Sequence, residues 1–201
     1  MTKEQFQQHI KDADFKTLFN SLGWDNYKGN AEFEEEIDGY TYQFKTIAKK
    51  QGFQVIVCDN AQRVSSSFCK RLDHKIRPNA QDYICIFTLP KEDKPLHHIW
   101  AVPIRKTDRR DIVLVEYYNI GQTELLYQKI DKITFPLALN LDVVDIRDQV
   151  YSAFDVNSEK LTKDFYTGFQ KQHTNFCSFI TGIDDQIKDK DNKNKQWYTS
   201  V

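Results

Sequence analysis

The sequence predicts an α/β protein of the α+β kind: a mixed, mainly antiparallel sheet with flanking helices, plus a helical C-terminal segment. Three observations predict it. Apolar, β-rich runs follow one another at residues 53–58, 82–89, 98–104 and 112–118, with a basic helix at 66–77 between the first two. Residues 2–22 carry Phe6, Ile10, Phe15, Leu18, Phe19 and Leu22 mostly three and four apart, the stripe of an amphipathic helix with a break near 12–14. From Ser158 onward the pattern is purely helical, with Leu161, Phe165, Phe169, Phe176, Phe179, Ile180 and Ile183.

Taken in order, Gly23 stops the first helix, and Trp24 opens a loop rich in Asn, Gly and Lys. Residues 32–46 read as a hairpin around Asp38-Gly39, the dipeptide that supplies positive φ to a tight turn. The acidic cluster Glu34, Glu35 and Glu36 is expected on its wet side; residues 47–51 are too few to assign, and a helical turn ending at Gly52 would fit them. The run FQVIVC (53–58) is a buried strand, and Ser65, Ser66 and Ser67 offer hydroxyl caps to the helix whose core face is Phe68, Leu72 and Ile76. DYICIFTL (82–89) is the expected sheet centre. Pro103 lacks a donor, so the strand at 98–104 is expected near an edge or to end early. Short helices are expected at 122–130 and 142–154. The change of composition near residue 140 divides an α/β domain (1–140) from a helical connector (141–201).

At 201 residues, with 40% hydrophobic, 13% aromatic and 28% charged residues, the chain is long enough to bury a core without disulfide or metal staples. The net charge of −1 means that any affinity for nucleic acid must come from local patches. Cys58, Cys69, Cys85 and Cys177 show no CxxC spacing and read as small buried residues of a reducing cytoplasm. The polar N-terminus lacks the apolar core of a signal peptide, and no apolar run reaches the roughly 18–20 residues of a membrane span. A cytoplasmic protein without a membrane partner is expected.

No catalytic residue and no metal ligand stands out. A nuclease of the PD-(D/E)xK type needs an acid at one strand end and an acid-x-Lys triple on the next, to hold Mg²⁺ and orient water. Asp38 followed by Gln43-Phe44-Lys45 comes nearest, but Gln43 cannot supply the second charge. His97 and His98, adjacent in a strand, point to opposite faces and do not chelate as a pair. The basic features are stronger. Lys70, Arg71, His74, Lys75 and Arg77 lie off the apolar stripe of their helix, and Arg105, Lys106, Arg109 and Arg110 crowd the turn between two strands. These nine residues are the candidate DNA-binding set, through phosphate contacts that salt would weaken. Phe176, Phe179, Trp197 and Tyr198 are candidates for docking a further domain, since side chains of this size gain about 2 kcal/mol each on burial.

Dispersed residues over nearly the whole chain carry a resemblance. They include Leu22-Gly23-Trp24-Asp25, Arg71-Leu72-Asp73-His74-Lys75, Trp100 and Gly121-Gln122. They continue through Ala153-Phe154-Asp155-Val156, Leu161-Thr162-Lys163-Asp164-Phe165-Tyr166, Phe169, His173, Phe176, Gly182-Ile183 and Trp197-Tyr198. In this the chain resembles the N-terminal region of bacterial type IIG restriction–modification proteins, where such a segment precedes a DNA adenine-methyltransferase domain. The resemblance implies a non-catalytic module that contacts DNA or docks the downstream domain. S-adenosylmethionine would belong to that domain, because neither an FxGxG-like nor an NPPY motif occurs in these residues. A degenerate or active nuclease domain, and a protein-interaction module, are the alternatives.

Overall fold

The computed structural model describes residues 1–28, 32–59, 61–89, 97–106, 109–117, 122–136 and 141–179, with the backbone alone described over 156–164 and 177–179. Two helices open the chain, α1 (Lys3–Asp12) and α2 (Phe15–Ser21). Thr2 and Gln5 form a capping box on α1, Ala13 ends it in the left-handed region, and the Asp14 carboxylate accepts from the Thr17 N–H to start α2. The stripe at 2–22 is thus one face on two helices, broken where expected.

Among the described residues the sheet has seven strands: β1 (Asp25–Asn26), β2 (Glu32–Ile37), β3 (Tyr40–Lys50), β4 (Phe53–Cys58), β5 (Tyr83–Thr88), β6 (His98–Arg105) and β7 (Arg110–Tyr117). Their order is β1-β3-β4-β5-β6-β7, with β2 also paired to β3. All ladders are antiparallel except β4–β5, which is parallel and joined through helix α3 (Ser66–Ile76). The expected central strand, β5, indeed lies between β4 and β6. Helices α4 (Thr123–Asp131) and α5 (Val143–Phe154) follow, then α6 (Val156–Phe179). Among the described residues no helix is long and apolar enough to cross a membrane.

Strand alternation sorts the core into two layers. Phe53, Val55 and Val57 of β4, Ile84 and Ile86 of β5, and Trp100, Val102 and Ile104 of β6 pack in one cluster with α1, α2, α4 and α5. Ile56 and Cys58, then Tyr83, Cys85 and Phe87, and Ile99 and Ala101 face α3 on the other side. The chain closes on itself at Gly23. The Phe135 N–H donates to the Leu22 carbonyl at 2.7 Å, and the Trp24 indole N–H to the Ile133 carbonyl at 3.0 Å.

Three expectations are corrected, one of them in part. Residues 47–51 form no helical turn: β3 runs on to Lys50 through a register shift between Thr46 and Ala48, and Gln51 and Gly52, both at positive φ, make a second tight hairpin. Pro103 does not end β6, which continues to Arg105, but β6 does lie near an edge, between β5 and the outermost strand β7. The ladder to β5 stops at Ala101, two residues before the proline. The acidic cluster is split by the period of the strand. Glu34 and Glu36 face outward, while Glu35 shares a face with Phe33 and Ile37 and receives Lys75. The compact units are Met1–Asp155 and Val156–Val201. Helix α5 belongs to the first because Ile146, Val150, Ala153 and Phe154 are buried in its core.

Candidate anion-binding site

Helix α3 starts on the Ser65 hydroxyl, which accepts from the Phe68 N–H at 3.2 Å. With Phe68, Cys69, Leu72, Asp73 and Ile76 turned inward, the exposed face carries Lys70, Arg71, His74, Lys75 and Arg77. These do not form one free band. The Arg71 guanidinium donates to the Asp38 carboxylate at 2.5 Å, and the Lys75 ammonium to Glu35 at 3.1 Å, so the β2–β3 hairpin neutralises two of the five. Both pairs are about half exposed on the cation side, at 48% and 45%, and contribute little to stability. Lys70, His74 and Arg77 have no ion-pair partner among the described residues.

The opposite end of α3 meets the β6–β7 turn. Asp73 is buried, accepts a hydrogen bond from the Tyr83 hydroxyl at 3.0 Å, and pairs with Arg110 at 2.9 Å. Burial, and then the Asp73 carboxylate, push the Tyr83 hydroxyl far up, so it stays a donor. Arg110 also donates to the Gln81 carbonyl at 2.6 Å. Its side chain is only 12% exposed, and its Nη1 is out of solvent with no hydrogen-bond partner. An unsatisfied buried donor of this kind costs about 1–3 kcal/mol. Arg105 donates to the Gln81 side chain at 3.1 Å and lies 3.7 Å from Asp82, which also accepts from the Tyr151 hydroxyl of α5. Lys106 and Arg109 both reach Asp111, at 3.0 and 3.1 Å, and hold that carboxyl below its usual value.

Arg77, Gln81, Arg105, Lys106, Arg109 and Arg110 together line a hollow of about 370 Å³. Five of the nine sequence candidates thus converge, although Arg77 and Arg105 are far apart in the chain. Asp73, Asp82 and Asp111 offset part of this charge; Asp108, in the same turn, lies outside the described residues. Arg105 and Arg110 stand directly opposite each other in the β6–β7 register, an arrangement that destabilises a strand pair. Sequence reasoning missed Gln81 and the structural part of Arg110. Asp73 is the group that fixes Arg110.

The nuclease candidates are not brought together. Asp38 sits in the hairpin turn beside Arg71, while Gln43 donates to Glu34 at 3.0 Å and Lys45 pairs with Glu32 at 3.1 Å further along β3. A second hollow of about 510 Å³ there is lined by Glu32, Phe33, Glu34, Gln43, Phe44, Lys45, Val57 and Asp59, without Asp38. Among the described residues no group of three His, Cys, Asp or Glu side chains is placed to hold a metal ion. Cys58, Cys69 and Cys85 are buried, and burial pushes the thiols of Cys58 and Cys69 up to about 12, far from an active nucleophile. On α6, Phe165, Tyr166, Phe169 and Phe176 are exposed, with Phe165 stacked on Phe169 and Phe169 on His173. The Phe179 side chain, Trp197 and Tyr198 lie outside the described residues. No family model, no curated protein and no solved structure matches the chain.

Proposed function

We propose that this chain is the non-catalytic N-terminal module of a type II restriction–modification DNA adenine methyltransferase, working in the cytoplasm and contributing DNA contact. The observation that supports DNA contact is the meeting of two separate basic segments, the end of α3 and the β6–β7 turn, around one hollow. Phosphate contacts dominate protein–DNA affinity, and Arg and Lys side chains supply them. Methyl transfer and S-adenosylmethionine belong, in this reading, to a methyltransferase domain beyond these residues, and the resemblance alone supports that part. A second reading, docking of that domain or another protein, is favoured by the exposed aromatic side chains of α6.

The test is a salt titration of duplex binding. Arg77→Glu with Arg109→Glu is expected to weaken binding and to lower the slope of log K against log salt by about 1 to 2, since each lost phosphate contact removes about 0.9. Lys70→Glu with Lys75→Glu, at α3 positions that do not line the hollow, should act less. Unchanged affinity and slope in the first pair removes the DNA-contact reading.

A further inference from the structure

We propose that the hollow between the end of α3 and the β6–β7 turn is a preformed pocket for a single phosphoryl group, with Arg110 fixed in its wall. This deepens the DNA-contact reading and rests on the same surface, yet it can fail separately. The guanidinium of Arg110 is already oriented by Asp73 and the Gln81 carbonyl, and Tyr83 holds Asp73 in turn. Arg110 commits Nε and Nη2 to those partners, so the more exposed cations around it are the ones left to meet a ligand. Around it, Arg77 arrives from α3, Arg105 and Lys106 from the end of β6, and Arg109 from the start of β7. Arginine suits such a role because its planar fork matches phosphate oxygens. At about 370 Å³ the hollow exceeds one phosphate and leaves room for an attached sugar.

The probe is inorganic phosphate, added to the full chain while the arginine side-chain N–H resonances are followed by NMR, with sodium chloride at matched ionic strength as control. Saturable shifts at Arg109 and Arg110 are expected, weakened about tenfold or more in Arg77→Ala with Arg109→Ala and unchanged in Lys70→Ala with Lys75→Ala. Arg77 is exposed and Arg109 is 63% exposed, so the first pair should fold, which circular dichroism verifies. Shifts no larger than those with chloride, or equal loss in both pairs, overturn the pocket. Duplex binding without phosphate saturation rejects the pocket and keeps the DNA reading, whereas saturation without duplex binding does the reverse. Oligonucleotides with and without a 5′-phosphate separate the sources: preference for the first assigns a terminal phosphate, and equal binding assigns a backbone phosphodiester.

Discussion

Gly23 shows how much one position can hold. Its φ of +83° lies in the left-handed region, and a Cβ there would sit 1.9 Å from the Phe135 carbonyl oxygen. The same approach carries the bond from Phe135 to Leu22, which ties α2 to the segment after α4. Gly39 has a similar φ of +79° but open space around it. Gly39→Ala should therefore cost only the backbone strain, about 1 kcal/mol, and Gly23→Ala roughly 2–4 kcal/mol in urea unfolding. Equal losses would mean that the close approach is unimportant. His98 gives a second prediction at this scale. It is fully buried, its Nδ1 accepts from the Trp100 indole N–H at 2.8 Å, and its Nε2 has no partner. Burial, and then the neighbouring His97, bring its pKa down to about 3. Unfolded, the ring titrates near 6.5, so between about pH 6.5 and 3 the unfolded chain binds a proton that the folded chain refuses. Stability attributable to His98 is thus intact above pH 6.5 and falls as the pH drops through that window, by up to about 1.4 kcal/mol per unit. His98→Asn keeps an acceptor for Trp100 and does not titrate. Its loss of stability between pH 7 and pH 5 should be smaller than that of the wild type, and an equal loss would clear His98.

Elements were legible where their signal is local. Asp38-Gly39 announced its hairpin because positive φ at both positions is a property of those two residues. The break between α1 and α2 was visible in the polar step at 12–14, and Ser65 in the run of serines before Phe68. Signals that depend on a partner strand were misread. Gln51-Gly52 is as tight a turn as Asp38-Gly39, but a glutamine at positive φ carries no sequence mark. Pro103 implied an edge nearby or an early end because a proline lacks one donor, yet β6 runs on past it where the ladder to β5 has already ended. The candidate site divides in the same way. The nine cations could be picked out by composition, but which of them meet depends on the register Arg105↔Arg110 and on Asp73 turning inward from α3. The resulting division of labour leaves Arg71 and Lys75 to the hairpin and Arg110 to the interior, and it exposes Arg77 to whatever enters the hollow.

At the scale of the molecule, the hollow and every group that positions it lie within Met1–Asp155. Helix α5 completes that unit: Ile146, Val150, Ala153 and Phe154 enter its core, Asp142 and Asp145 form the capping box that starts it, and Tyr151 reaches Asp82 beside Arg105. A chain cut after residue 140 would strip four apolar side chains from the core, each worth about 1–3 kcal/mol except the smaller alanine, a loss comparable with the whole stability of a domain. A chain cut after Asp155 loses none of them. Residues 1–155 should therefore unfold cooperatively, within about 1 kcal/mol of the full chain in urea, whereas 1–140 should be unfolded or strongly destabilised. The 1–155 truncation also separates the functional readings. If the cationic hollow is what meets DNA, 1–155 keeps the affinity and salt slope of the full chain. If the aromatic face of α6 is what matters, a folded 1–155 loses binding to its partner while its response to phosphate is unchanged.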